Sequence, residues 1–151
     1  MVLEDLKIMS RILAIDYGQK RTGIAVTDSL QMIANGLATI ETKELEKFIV
    51  DYMAKEDVST IVMGKPTQMN GADSENMKRI EPFFNRLRHL FPDKEIVYYD
   101  ERFTSVLAHQ AMLQSGIGKK ARQDKALVDK ISATIILEDY LQSRNSKLSN
   151  S

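Results

Sequence analysis

The chain has 151 residues, 43% of them hydrophobic and 28% charged, and its 21 basic and 21 acidic side chains cancel to a formal net charge of zero. That length buries a core without staples, and the balance of charge argues against a protein that coats polyanions in bulk. With no cysteine, disulfides, thiolate zinc sites and cysteine nucleophiles are excluded; with only His89 and His109, any metal is expected on carboxylate oxygens, which favour Mg²⁺ or Mn²⁺.

No apolar run approaches the roughly 20 residues needed to span a bilayer. Met1 to Ser10 lacks the basic start and apolar centre of a secretion signal. The expectation is a cytoplasmic protein with no membrane partner. Residues 1–9 read as an N-terminal extension without assigned function, 10–142 as one domain, and 143–151 as a polar, disordered tail.

Arg11 to Thr27 opens the domain. A short apolar run, Ile12 to Ile15, ends on Asp16; Tyr17 and Gly18 interrupt it, and a second β-prone run follows from Gly23 to Thr27. This predicts two strands joined by a turn with a carboxylate at the tip of the first, where open α/β sheets place their chemistry. Gly18 lets backbone approach a phosphate or a metal without a Cβ in the way. An ordinary hairpin whose Asp favours the turn gives the same pattern.

Asp28 to Ile33 reads as a polar turn and Ala34 to Ile40 as a third strand, making an antiparallel meander. The period then changes: Leu45, Phe48, Ile49, Tyr52 and Met53 form one apolar helical face. Thr60 to Met63 is a short strand closing on Gly64. A second amphipathic helix carries Met77, Ile80, Phe84, Leu87 and Phe91, with either a kink at Pro82 or a regular part that begins near it. Glu95 to Tyr99 is a fifth strand, followed by Asp100-Glu101-Arg102-Phe103-Thr104-Ser105, in which Thr104 or Ser105 caps a short helix through Gln114. Gly116 to Lys125 is the most basic stretch, and a final helix spans about Lys125 to Leu141. The expected order is βββαβαβαα.

Parallel first and fifth strands put Asp16 and Glu101 at the same edge of one sheet. In the last helix Asp129 is followed by Ser132 and Ala133, small residues on its own face that let the helix lie close to the sheet. The sequence does not say at which end of the sheet Asp129 falls.

At these residues the chain resembles the YqgF family, also called RuvX, of the ribonuclease H-like superfamily. The resemblance rests on Asp16-Tyr17-Gly18 with Arg21-Thr22-Gly23-Ile24-Ala25-Val26, on Gly64-x-Pro66 with Gly71, on Asp100-Glu101-Arg102-x-Thr104-Ser105, and on Asp129 with Ser132-Ala133. It covers essentially Arg11 to Leu141. It implies a ribonuclease H-like α/β fold, a mixed five-stranded sheet with helices on its faces. It also implies a metal-dependent nuclease site of Asp16, Glu101 and Asp129, using Mg²⁺ or Mn²⁺, with two ions the expected number.

The chemistry needs these residue types. Two divalent ions about 4 Å apart activate a water and stabilise the leaving oxygen of a phosphodiester when clustered carboxylates hold them. Asp16, on the strand expected to be central, is the candidate bridging ligand, and Glu101 and Asp129 each complete one side. The chain departs from RuvC-type resolvases, whose second acid ends the fourth strand; here that strand ends in Gly64-Lys65-Pro66. Glu101, one strand further out, takes its place across a strand spacing of about 4.8 Å. Ala126 and Lys125 stand where such resolvases carry another acid on the last helix.

Lys20 and Arg21 in the first turn, Lys65 after the fourth strand, and Arg102 are the candidate phosphate contacts. Lys119, Lys120 and Arg122 in the basic stretch are candidates for following a nucleic-acid backbone. Each has a plainer reading as a solvated cation, and for Arg102 as a partner of Glu101 or Asp100.

The resemblance implies processing of the 5′ end of pre-16S rRNA, hence a structured RNA or pre-ribosomal small-subunit partner. Three other functions stay open. A resolvase of four-way DNA junctions needs a two-fold dimer to make paired cuts. An actin-like or Hsp70-like ATPase shares the Asp-x-Gly turn but needs a second lobe that this length does not supply. A non-catalytic nucleic-acid-binding module needs none of the acids.

Overall fold

A computed structural model describes residues 10–65, 71–100 and 125–149. In chain order the elements are β1 (Arg11–Asp16), β2 (Arg21–Thr27), β3 (Ala34–Glu41), a 3-10 turn at Thr42–Glu44, α1 (Leu45–Lys55), β4 (Val58–Lys65), α2 (Gly71–Leu90), β5 (Glu95–Asp100) and α3 (Lys125–Ser149). The strands form one sheet in the order β3-β2-β1-β4-β5. β1 pairs antiparallel with β2, and β2 with β3. It pairs parallel with β4, and β4 with β5, as two right-sized helical crossovers require.

β1 is thus the central strand, and Ile12, Leu13, Ala14 and Ile15 are all fully buried. Their alternation sorts the core into two layers. Leu13 and Ile15 join Ile24, Ile61 and Met63 beneath Leu45 and Ile49 of α1 and Ile80, Phe84 and Leu87 of α2. Ile12 and Ala14 join Ala25 and Val62 beneath Ala133, Ile136, Leu137 and Leu141 of α3. The second layer is rich in alanine, so α3 can lie close to the sheet. Helices on both faces of this mixed sheet give the ribonuclease H-like architecture that the resemblance implies.

α2 is continuous through Pro82, which is exposed. On that solvent face the amide that proline lacks leaves no buried group unsatisfied. The short helix expected from Thr104 or Ser105 to Gln114 lies outside the described residues. α3 runs past Leu141, where the helix is expected to end, to Ser149, through residues expected to be disordered. A tertiary contact accompanies the extension: Arg144 Nη1 donates to Gln31 Oε1 at 2.7 Å.

That contact belongs to the β2–β3 turn, at the end of the sheet where β2 finishes. Asp28 organises the turn, its carboxylate accepting the backbone N–H of Leu30 at 3.2 Å, Met32 at 2.9 Å and Ile33 at 2.8 Å. Gln31 has φ of 58°, a left-handed conformation uncommon for a residue with a side chain. Its Nε2 donates to the Ser10 carbonyl at 3.0 Å, so both ends of its amide are fastened to the fold.

Candidate active site

The carboxyl ends of β1, β4 and β5 and the start of β2 lie at one end of the sheet, opposite the Asp28 turn. This follows from the register, which pairs Asp16 with Gly23, Met63 with Ile15 and Lys65 with Asp100. Asp16 continues the alternation of Ile12 and Ala14, so its side chain is on the α3 face. Arg21 continues that of Gly23 and Ala25 and is on the same face.

Gly23 explains how α3 reaches this end. A Cβ there would run into the backbone carbonyl of Asp129, so only glycine lets the helix sit directly on β2 at this point. Gly23 is the register partner of Asp16. The close approach therefore brings Asp129 to the end and the face that carry Asp16, which the sequence alone left undecided. Arg21 Nε meets Asp129 Oδ2 at 3.4 Å, and both side chains are partly exposed.

The turn between β1 and β2 is clamped from two sides. Thr42 donates from Oγ1 to the Gly18 carbonyl at 2.7 Å and from its backbone N–H to the Lys20 carbonyl at 2.9 Å. Its hydroxyl is also 2.9 Å from that of Thr22. On the other side Asn76 Nδ2 donates to the Tyr17 carbonyl at 3.2 Å. The Tyr17 ring packs on Phe83 with centroids 5.6 Å apart, and its burial raises the phenol pKa above the ordinary value. Gly18 is needed here for a local reason, since a Cβ would strike the Arg21 carbonyl across the turn. Thr42 and Asn76 escaped the reading of the sequence because their partners are 24 and 59 residues away.

The other predicted residues divide into two groups. Lys20 is exposed in the clamped turn. Lys65 is at the same end of the sheet but alternates with Ile61 and Met63 on the α1 and α2 face, its Nζ 5.4 Å from the centre of the Tyr98 ring. Tyr98 itself stacks on Phe84 at 3.9 Å, and Tyr99 meets Tyr140 edge to face at 6.1 Å, so both tyrosines are packing residues. Glu101, Arg102, Lys119, Lys120 and Arg122 lie outside the described residues, as does His109. His89 is exposed on α2 beside a cleft of about 500 Å³ lined also by Arg88, Lys94 and Ile96, far from Asp16 at the opposite end of the sheet.

No group of three or more acids or histidines suited to a metal occurs among the described residues. The two carboxylates on this face are nonetheless hard oxygen donors, the donor chemistry of Mg²⁺ or Mn²⁺. The basic side chain drawn to Asp129 shows that this carboxylate attracts a cation. Among the described residues no helix is long and apolar enough to cross a membrane.

Comparison with known proteins agrees with the geometry. Residues 10–143 match the family model described as RuvX, Holliday junction resolvase. A curated relative from Phocaeicola vulgatus, named as a pre-16S rRNA nuclease, is 63% identical over 136 residues, covering 90% of this chain and 98% of that protein. Relatives of the same name from Parabacteroides distasonis and Porphyromonas gingivalis are 57% and 53% identical, covering 93% and 88% of this chain and 100% and 96% of theirs. Matched over nearly its whole domain, with Asp16 and Asp129 gathered on one face of a ribonuclease H-like sheet, the chain belongs to the RuvX family.

Proposed function

We propose that the protein is a metal-dependent endonuclease, a hydrolase of phosphodiester bonds in structured RNA, that processes the 5′ end of pre-16S rRNA in the cytoplasm. The observation that carries this reading is the convergence of Asp16 and Asp129 through the glycine contact at Gly23. The names of the relatives supply the substrate.

In this reading Asp16 and Asp129 hold Mg²⁺ or Mn²⁺, with Glu101 as the third ligand. A divalent cation held there supplies polarisation of the phosphate and activation of water. The chain itself provides the fixed frame. Thr42 and Asn76 hold the β1–β2 turn at set positions, so Lys20 and Arg21 present their charges to a phosphate without ordering a loop at the moment of binding. Lys65 adds a positive charge at the same end of the sheet, on the face opposite the acids. Arg102 is proposed as a further phosphate contact, and Lys119, Lys120 and Arg122 follow the RNA backbone, giving an affinity that falls as salt rises. The pre-ribosomal small subunit is the natural partner for a chain without net charge, since the particle supplies affinity that bulk electrostatics do not.

The test is cleavage of a 5′-extended pre-16S rRNA fragment and of a four-way DNA junction, each with Mg²⁺, Mn²⁺ or EDTA, by the protein and by Asp16→Asn. Metal-dependent cutting of the RNA that vanishes in the variant is the expected result. Cutting confined to the junction, in symmetric pairs, would make the protein a resolvase. Equal binding of RNA by both forms without any cutting would remove the catalytic reading for this chain on its own and point to a required partner.

A further inference from the structure

We infer that Arg21 is the resident counter-ion of Asp129 in the metal-free protein and is displaced from it when a divalent cation binds, which frees the guanidinium for a substrate phosphate; this rests on the metal-dependent reading above. The contact has the features of an exchangeable pair. It is a single approach through Nε at 3.4 Å, longer than a well-formed charge-assisted bond, and it leaves unused the two-toothed fork by which arginine grips a carboxylate strongly. Both side chains are partly exposed, 38% for Arg21 and 27% for Asp129. Pairs of this kind contribute no more than about a two- to fivefold factor to an equilibrium.

The exchange needs no movement of the backbone. Thr42 holds the carbonyls of Gly18 and Lys20, and the packing of the Asp129 backbone on Gly23 fixes the helix from which the carboxylate projects. Only the long arginine side chain has to swing. Guanidinium has no acceptor and is always charged, so it cannot share a carboxylate comfortably with a doubly charged ion: the two cations repel. Released, it presents five donors in a plane that matches phosphate geometry.

A purely structural pairing had another partner to hand. Glu41 lies directly opposite Arg21 in the β2–β3 ladder, yet it is bridged by Lys43 at 3.3 Å. Arg21 reaches instead across to the last helix, to the acid expected to hold metal.

The experiment is a titration of Mg²⁺, then Mn²⁺, into the full-length protein without RNA, followed by calorimetry. For the diamagnetic Mg²⁺ the Nε–H signals of arginine side chains are followed by NMR as well. The expected result is that the Arg21 signal moves and saturates with the calorimetric isotherm, and that Arg21→Gln tightens ion binding about two- to fivefold. Lys20→Gln, which removes a neighbouring charge without removing the pair, is expected to change it by less than about twofold in physiological salt. Ion binding with an unmoved Arg21 signal would overturn the exchange and leave the metal reading standing. Equal tightening by both variants would also overturn it, as an effect of bulk charge. No binding of either ion would remove the metal reading and the exchange with it. The NMR arm uses the unaltered protein, so the result does not depend on the folding of a variant.

Discussion

The two ends of the sheet use aspartate in opposite ways. At the Asp28 end the carboxylate is filled by three backbone N–H groups of its own turn, and those bonds, led by the one from Ile33, hold its pKa below the ordinary value. At the Asp16 end, Asp129 meets a side-chain cation at 3.4 Å on a helix brought in by a missing Cβ. Both are aspartates at the periphery of the same sheet. What separates them is the donor: backbone amides of its own turn hold Asp28, whereas Asp129 meets the side chain of an arginine from β2.

The largest perturbation available is at the contact that builds the functional end. Gly23→Val should push α3 off β2 and cost about 3 kcal/mol of stability, the upper range for overpacking. Urea unfolding measures this, and an unchanged midpoint would show that the close approach is not what positions Asp129. Next in size, Asp129→Asn should reduce metal-dependent cleavage by more than the roughly 100-fold that loss of a group outside the ligand shell costs, while the urea midpoint stays near that of the parent. Asp28→Ala should do the reverse, lowering stability by about 1 kcal/mol through lost turn bonds and leaving cleavage rates alone. If it lowered cleavage as Asp129→Asn does, the division of labour between the two ends would collapse.

The smallest effect is in the pH dependence. Asp28 has a folded-state pKa below its unfolded value, so it stabilises the fold above the unfolded pKa, near 3.8. That contribution is lost as pH falls through the lowered folded value. Denaturation midpoints taken downward from pH 6 should therefore drop less in Asp28→Asn than in the parent. Equal acid slopes in the two would remove the backbone-bonded description of this turn.

Much of this molecule was legible because its strands alternate. Ile12 to Ile15 ending on Asp16, and the change of period at Leu45, are local patterns that the sheet and α1 reproduce within a residue or two. β4 is longer than expected, Val58–Lys65 instead of Thr60 to Met63, because pairing with both β1 and β5 extends a strand beyond its apolar run. The continuation of α3 to Ser149 was not legible, since residues 143–151 are polar and the contact of Arg144 with Gln31 spans 113 positions. At the site, Asp16 stood out by its place at a strand end. That Asp129 shares its end of the sheet was hidden, because it depends on what a side chain at Gly23 would collide with, and on nothing in the neighbourhood of Asp129 itself.

The seating of Asp129 on Gly23 also sets an order of assembly. β1 to β5 precede α3 in the chain, so the strands are synthesised before the helix that seats Asp129 on Gly23. Until the final helix docks, this sheet lacks one of its two convergent acids. On the role proposed for Asp129, a hydrolase directed at the RNA of the machine that makes it gains that acid only with its last described helix.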